Sequence, residues 1–117
     1  MTELKRIPTQ FSYSSAVAAG DYVFLGFHRG FGDDFTTQFN DAFSHLKKTL
    51  AEFNLTLADL VKVNVRLKNI KDVQIYEKLF RNYFEKDKYP ARAGGTTEFF
   101  DDDCLFMIDG VAYRKNK

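Results

Sequence analysis

The spacing of apolar residues in the first half of the chain predicts two strands followed by a helix. Residues 11–17 suit a short edge strand, and residues 22–27 are nearly all apolar, which is typical of a strand buried on both faces. Over residues 36–54 the spacing becomes helical, which predicts an amphipathic helix. One apolar stripe runs along this helix and consists of Phe39, Phe43, Leu46, Leu50 and Phe53.

Polar residues mark the expected ends of the helices. Thr36 or Thr37 can cap the start of the first helix, and Asn54 suits its end. Residues 56–59 have the spacing of a capping box, with Asp in place of the usual Glu, and predict a single extra turn. Asp72 can cap a second helix.

The second half of the chain predicts a strand, a helix and two final strands. Residues 61–68 alternate strictly between apolar and polar, which indicates a strand with one polar face. The apolar side of the second helix consists of Val73, Tyr76, Leu79, Phe80, Tyr83 and Phe84. The helix pattern ends at Pro90. Residues 92–99 and 104–113 then read as two strands joined through an exposed acidic turn at residues 101–103.

This order of elements, ββαβαββ, predicts an α+β fold in which a mixed sheet carries two helices on one face. The chain has 117 residues, of which 44% are hydrophobic, and we expect them to form one domain covering residues 1–117. A chain this short buries a modest share of its surface. Association of subunits is the simplest way to cover the second face of the sheet.

Charge and composition exclude several classes of function. The formal net charge is +1 and shows no basic stripe, which argues against a nucleic-acid partner. No apolar run approaches the ~18 residues of a membrane span, and the first residues do not resemble a secretory signal. The single cysteine, Cys104, excludes an internal disulfide, so we expect a cytoplasmic protein. Neither histidine has a second ligand at metal-site spacing, and no metal is expected.

Arg92 and Asp109 are the candidate pair for ligand chemistry. Asp109 interrupts an otherwise apolar strand, and a buried carboxylate needs a partner or a task. In a hairpin of the last two strands, Arg92 would approach residues 107–111. An arginine fork matches a carboxylate in a bidentate way, so either Asp109 or a ligand would occupy it. The alternative for Asp109 is a strand-edge acid bonded to a neighbouring backbone group.

The histidines and the cysteine are weaker candidates. His28 follows a buried strand at the entrance to a glycine-containing loop, where it can act as a donor or proton carrier. His45 lies beside the apolar stripe of the first helix and is interpreted as a boundary residue. Cys104 follows three acidic residues, which oppose thiolate formation, so we interpret it as a small buried residue.

Five segments, taken in order, resemble the RidA/YjgF family of small imine deaminases. They are Ser-Tyr-Ser-Ser-Ala at 12–16, Gly-Asp-Tyr-Val-Phe at 20–24, Leu-Ala-Asp-Leu-Val-Lys-Val-Asn-Val at 57–65, Tyr-Pro-Ala-Arg-Ala at 89–93 and Ile-Asp-Gly-Val-Ala at 108–112. Each segment alone is a weak signal, but together they extend over almost the whole chain at nearly the family's spacing. The resemblance implies a chorismate-mutase-like fold assembled as a homotrimer, with three clefts between subunits.

The resemblance also implies a chemistry. Members of the family hydrolyse reactive 2-imino acids and enamines to 2-keto acids and ammonia, and they require no metal or organic cofactor. By position, Arg92 would hold the substrate carboxylate in the intersubunit cleft, and Tyr13 would line that cleft. Asp109 or His28 would then handle the proton.

The sequence departs from the family pattern at the expected site. Met107 stands where the family has the glutamate that positions the attacking water, and Asp109 stands at its second glutamate. Phe27, after Gly26, replaces a glycine whose backbone would approach the ligand, so these residues and Met107 would line a smaller or reshaped pocket. The alternative function is therefore a protein of the same fold that binds or senses small carboxylates, such as keto acids, without turnover.

Overall fold

The computed structural model describes residues 3–114 and has a single mixed sheet with helices on one side. The strands are β1 (Lys5–Pro8), β2 (Ser14–Ala19), β3 (Tyr22–Arg29), β4 (Leu60–Leu67), β5 (Ala91–Thr96) and β6 (Phe106–Tyr113). The helices are α1 (Phe35–Ala51) and α2 (Val73–Arg81). The strand order is β1-β2-β3-β6-β4-β5. The predicted class, a mixed sheet with two helices packed on one face, is confirmed.

The order of elements contains one strand that the sequence pattern did not predict. β1 has four residues, of which only Ile7 is partly buried. It therefore shows no alternation of apolar and polar residues from which a strand could be predicted. It pairs antiparallel with β2 at one edge of the sheet. β2 itself begins at Ser14 rather than at residue 11, and the side chain of Phe11 is exposed.

The predicted hairpin of the last two strands is wrong. β5 pairs in parallel with β4, with Arg92 opposite Val63, and it forms the free edge of the sheet. β6 lies between β3 and β4 and is antiparallel to both. The cause is α2, because a crossover helix returns the chain so that the next strand pairs in parallel. β4 therefore separates Arg92 from the strand that carries Asp109.

The first helix begins earlier than its threonines predict. The carboxylate of Asp34 accepts a hydrogen bond from the backbone N–H of Thr37 at 2.8 Å, so Asp34 is the cap and neither Thr36 nor Thr37 is. Regular helix ends at Ala51, and Asn54 follows with a φ of 61°. Asparagine tolerates this left-handed conformation, which is why it suits the end of a helix.

The two remaining caps have different outcomes. The backbone N–H of Thr56 donates to the Asp59 carboxylate at 2.9 Å, which confirms the capping box before β4. Asp72 does precede α2, but its side chain makes no cap hydrogen bond in the described part of the chain. A short 3₁₀ turn, Ile70–Asp72, leads into the helix instead. Within residues 3–114, no helix is both long enough and apolar enough to cross a bilayer.

The helix-covered face holds the hydrophobic core, which contains a cluster of aromatic rings. All five residues of the predicted α1 stripe are buried, with at most 6% of any side chain exposed. The ring of Phe39 lies 4.6 Å from that of Phe106 and 4.9 Å from that of Phe43, and Phe43 lies 4.2 Å from Tyr83. Burial of each such ring stabilises the fold by about 1.5–3 kcal/mol. These contacts fix α1 against the centre of the sheet.

We call the other side of the sheet the open face. Strand alternation and register assign it Val17, Tyr22, Phe24, Asn64, Arg66, Met107, Asp109, Val111 and Tyr113. Phe24 is 49% exposed and lies opposite Val111, while the rings of Tyr22 and Tyr113 are 5.3 Å apart. Neither α1 nor α2 covers these side chains. A contiguous group of half-exposed aromatic residues is typical of an association surface.

Candidate functional site

Arg92 lies near the start of β5, on the side of the sheet that faces α2. Its position opposite the buried Val63 turns its side chain toward that helix. The guanidinium carbon is 5.0 Å from the ring centre of Tyr76 and 4.7 Å from that of Phe80. Two aromatic faces therefore hold the guanidinium by cation–π contacts. Its side chain remains 31% exposed at the free edge of the sheet.

Glu77 is the ion-pair partner of Arg92. Arg92 Nη2 donates to Glu77 Oε1 at 2.7 Å, and Arg81 Nε donates to Glu77 Oε2 at 3.2 Å. The hydrogen bond from Arg92 is the main reason why the pKa of Glu77 lies below its usual value. The expectation that Asp109 occupies the arginine fork is therefore wrong, because Glu77 takes one of its donors and Asp109 lies elsewhere. That a ligand binds the remaining donors stays a prediction. Nothing in the sequence pattern singled out Glu77, since it is one charged residue among many on a helix surface.

Two cavities flank the Arg92 side chain. The first has a volume of about 320 Å³ and is lined by Glu77, Phe80, Arg81, Tyr89, Pro90 and Arg92. The second, of about 270 Å³, extends from Tyr76 past Gly94 and Gly95 toward Ile70. In the described chain, Glu77 is the only side-chain hydrogen-bond partner of Arg92, so its Nε and Nη1 groups have no protein acceptor. Arg92 lines both cavities. This arrangement can receive a small carboxylate.

Asp109 lies on the open face, away from Arg92. It sits opposite Asn64 on β4, and Asn64 Nδ2 donates to Asp109 Oδ1 at 2.9 Å. The alternative prediction gave Asp109 a backbone partner, but in the structure its partner is the side chain of Asn64. Arg92 and Asp109 belong to opposite faces of the sheet, so one chain does not bring them together. Asn64 was visible in the sequence only as a member of the polar side of β4.

Phe27 and Met107 do come together, at one end of the open face. They line a cavity of about 210 Å³ with Arg66 and residues 97–100. The β3–β6 pairing is irregular between Leu25 and His28, at the position of Gly26 and Phe27. Phe27, within β3, is exposed at this irregularity. The structure thus joins two predicted pocket residues but keeps them apart from Arg92.

His28 is buried between the sheet and α1. Its Nδ1–H donates to the Gly26 carbonyl at 2.7 Å, and its Nε2 is hydrogen-bonded to the Thr49 hydroxyl at 2.8 Å. Burial is the main cause that lowers the pKa of His28 below 6.5. The neutral ring has both nitrogens occupied and lines none of the cavities described above. His45 is partly exposed on α1, with Nδ1 2.8 Å from the Arg29 carbonyl, as expected for a boundary residue.

Tyr13 lies just before β2 and is 57% exposed. Its ring stacks against that of Phe11 at 6.3 Å. Three strands, β3, β6 and β4, separate β2 from β5 in the sheet. At about 4.8 Å per strand, Tyr13 is roughly 19 Å from Arg92 within one chain. Only a second copy could place a Tyr13 near Arg92.

The remaining candidates have structural roles. Cys104 is buried, and burial raises the pKa of its thiol, so the small buried residue predicted from the sequence is what the structure contains. The acidic turn is exposed as predicted, but two of its acids pair with Arg29, at 3.3 Å for Asp101 and 3.2 Å for Asp103. Across residues 3–114, no three His, Cys, Asp or Glu side chains converge as a metal site requires.

Comparison with known proteins identifies the family. Residues 3–113 match the sequence model of the family described as endoribonuclease L-PSP. Solved structures that resemble this chain are described as members of the YjgF family. The chain belongs to the YjgF/RidA family. The sequence is 27% identical over 111 residues to a RutC family protein of Pyrococcus horikoshii, covering 88% of this chain and 87% of that one.

Solved structures of the YjgF/RidA family have the same fold. A YjgF family protein of Streptococcus pyogenes superimposes with a TM-score of 0.86 at 31% identity, covering 97% of this chain and 98% of that chain. A YjgF family member from Neisseria meningitidis gives a TM-score of 0.91 at 19% identity, over 98% of each chain. The resemblance inferred from the five sequence segments is therefore confirmed.

Proposed function

We propose that this YjgF/RidA protein hydrolyses small reactive 2-imino acids and enamines to 2-keto acids and ammonia. The observation that carries the proposal is the Arg92 guanidinium, which contacts the rings of Tyr76 and Phe80 at the free edge of the sheet and whose Nε and Nη1 groups have no protein acceptor. Arginine presents paired donors that match a carboxylate, and a stacked guanidinium loses little freedom when it binds one.

The proposed reaction adds water to the imine carbon. One proton of the water passes to the nitrogen as the C–O bond forms, which gives a carbinolamine. Its hydroxyl proton then passes to the amino group as the C–N bond breaks, so that ammonia leaves and a 2-keto acid remains. Water attack on an imine is intrinsically easy, so holding the substrate at Arg92 beside an ordered water can give a useful rate. Asp109, held by Asn64, is the proposed proton acceptor.

The proposed site needs a second subunit. Asp109 and Tyr13 do not approach Arg92 within one chain, because Asp109 lies on the other face of the sheet and Tyr13 precedes the distant strand β2. A homotrimer associated through the open face and the free β5 edge would form clefts between copies. The half-exposed aromatic residues of the open face support such an assembly.

The test is ammonia release from freshly generated 2-iminobutanoate. The purified protein should accelerate the release, and Arg92→Ala should lower the rate at subsaturating substrate by about 10- to 100-fold, as expected for a lost charge-assisted hydrogen bond. Arg6→Ala is the matched control, because Arg6 is exposed on the opposite edge of the sheet. An unchanged rate in Arg92→Ala, or no acceleration by the wild type, would refute the proposal.

A second function, binding of small keto acids without turnover, is favoured by Met107. A thioether neither accepts nor donates a proton, and it occupies the position of the family's water-positioning glutamate. In this case 2-oxobutanoate should raise the melting temperature of the wild type but not of Arg92→Ala, while ammonia release stays at the uncatalysed rate. Turnover that depends on Arg92 would reject this alternative.

A further inference from the structure

Glu77 stands between two arginines at the cavity beside Arg92. Its two carboxylate oxygens accept from Arg92 at 2.7 Å and from Arg81 at 3.2 Å. All three side chains line the same cavity of about 320 Å³. Glu77 and Arg92 are 39% and 31% exposed, so the cluster borders solvent and is open to a ligand.

The charges around this cavity sum to a single positive charge. Arg81 and Arg92 contribute two positive charges, Glu77 cancels one, and the other lining residues are uncharged. A monocarboxylate bound to Arg92 neutralises the remaining positive charge. A second carboxylate on the ligand would approach Arg81, whose Nε is already bound to Glu77, and would be repelled by the Glu77 carboxylate itself.

We propose that Glu77 sets the charge selectivity of the Arg92 site by masking Arg81, so that the site prefers monocarboxylates over dicarboxylates. This inference rests on the proposed function, since it concerns ligands anchored by Arg92. Selectivity of this kind comes from repulsion of the wrong ligand as much as from attraction of the right one. Without the Glu77 charge, Arg81 is available to a second carboxylate.

The experiment compares two 2-keto acids that differ by one carboxylate, 2-oxobutanoate and 2-oxoglutarate. Calorimetric titration gives both dissociation constants for the wild type, Glu77→Gln and the double variant Glu77→Gln/Arg81→Gln. Glu77→Gln should improve the binding of 2-oxoglutarate relative to 2-oxobutanoate by about 1.5- to fivefold, the range for a partly exposed charge pair. The double variant should lose this relative gain.

Glu85→Gln is the matched control. Glu85 lies in the loop that follows α2, where it also forms an ion pair, with Lys88 at 3.6 Å, and it does not line the cavity. It should keep the wild-type ratio of the two constants.

The outcomes separate this inference from the proposed function. If the wild type binds 2-oxobutanoate through Arg92 and Glu77→Gln leaves the ratio unchanged, the selectivity role is overturned and the function stands. Equal weakening of both ligands in Glu77→Gln would likewise overturn it, because Glu77 would then only position Arg92. If neither keto acid binds any of these proteins in an Arg92-dependent way, both proposals fail.

Discussion

The two faces of the sheet carry similar residue types, but those residues differ in burial and in their contacts. On the helix-covered face, Phe39 and Phe43 are completely buried, and His28 has both ring nitrogens hydrogen-bonded within the chain. On the open face, Phe24 is half exposed, and Asp109 shares a single hydrogen bond with Asn64. On the helix-covered face, these side chains find their packing and hydrogen-bond partners within one chain. The open face leaves apolar area and polar groups for something outside the chain.

Arg92 points toward the helix-covered side but lies at the edge of the sheet, where that side meets solvent. Its side chain packs on aromatic residues of α2, yet it lies on the last strand of the sheet and keeps donors available. The difference between the faces predicts that the covered face determines the stability of the fold and that the open face determines association. Substitutions on the covered face should act on unfolding, and substitutions on the open face should act on assembly.

The largest expected effect is on the covered face. Phe39→Ala removes a ring that contacts Phe43, Tyr76 and Phe106, and the resulting cavity should lower the free energy of unfolding by about 3–5 kcal/mol. Urea denaturation followed by circular dichroism measures this loss. Phe24→Ser on the open face is the comparison, and it should cost the isolated chain far less. Equal losses would show that the two faces do not divide these roles.

The covered face is also the part that the sequence predicted best. The α1 stripe repeats at helical spacing, so its burial followed from local periodicity alone. The pairing of β5 with β4 could not be read in this way, because strand partners depend on where α2 returns the chain. The same holds for Glu77, whose proximity to Arg92 results from that pairing. The sequence therefore predicted Arg92 as a site residue, but it did not predict which residues surround Arg92.

An intermediate effect is expected from a charge on the open face. Phe24→Lys places an ammonium group among half-exposed apolar side chains, opposite Val111. If subunits associate through this face, the substitution should raise the dissociation constant of the assembly by about 30-fold or more, as for other central interface residues. Sedimentation velocity at several concentrations measures the change. Wild-type protein that remains monomeric at high concentration would contradict association through the open face.

The smallest predicted effect is a pH dependence that belongs to the covered face. Burial lowers the folded-state pKa of His28 below its ordinary value of 6.5, so between these two values the unfolded chain binds more protons than the folded chain. The free energy of unfolding should therefore fall as the pH drops below about 6.5, by at most about 1.4 kcal/mol per pH unit for this group.

His28→Asn isolates the contribution of His28 to this pH dependence. The variant cannot titrate at this position, so its unfolding free energy, measured by urea denaturation, should decline less steeply than that of the wild type as the pH is lowered from 7.5 to 5.5. All other ionisable groups are shared, which removes their contribution from the difference in slope. Identical slopes would mean that the buried ring takes up a proton as readily as the unfolded chain does. The Thr49 hydroxyl and the Gly26 carbonyl would then satisfy the charged ring as well as the neutral one.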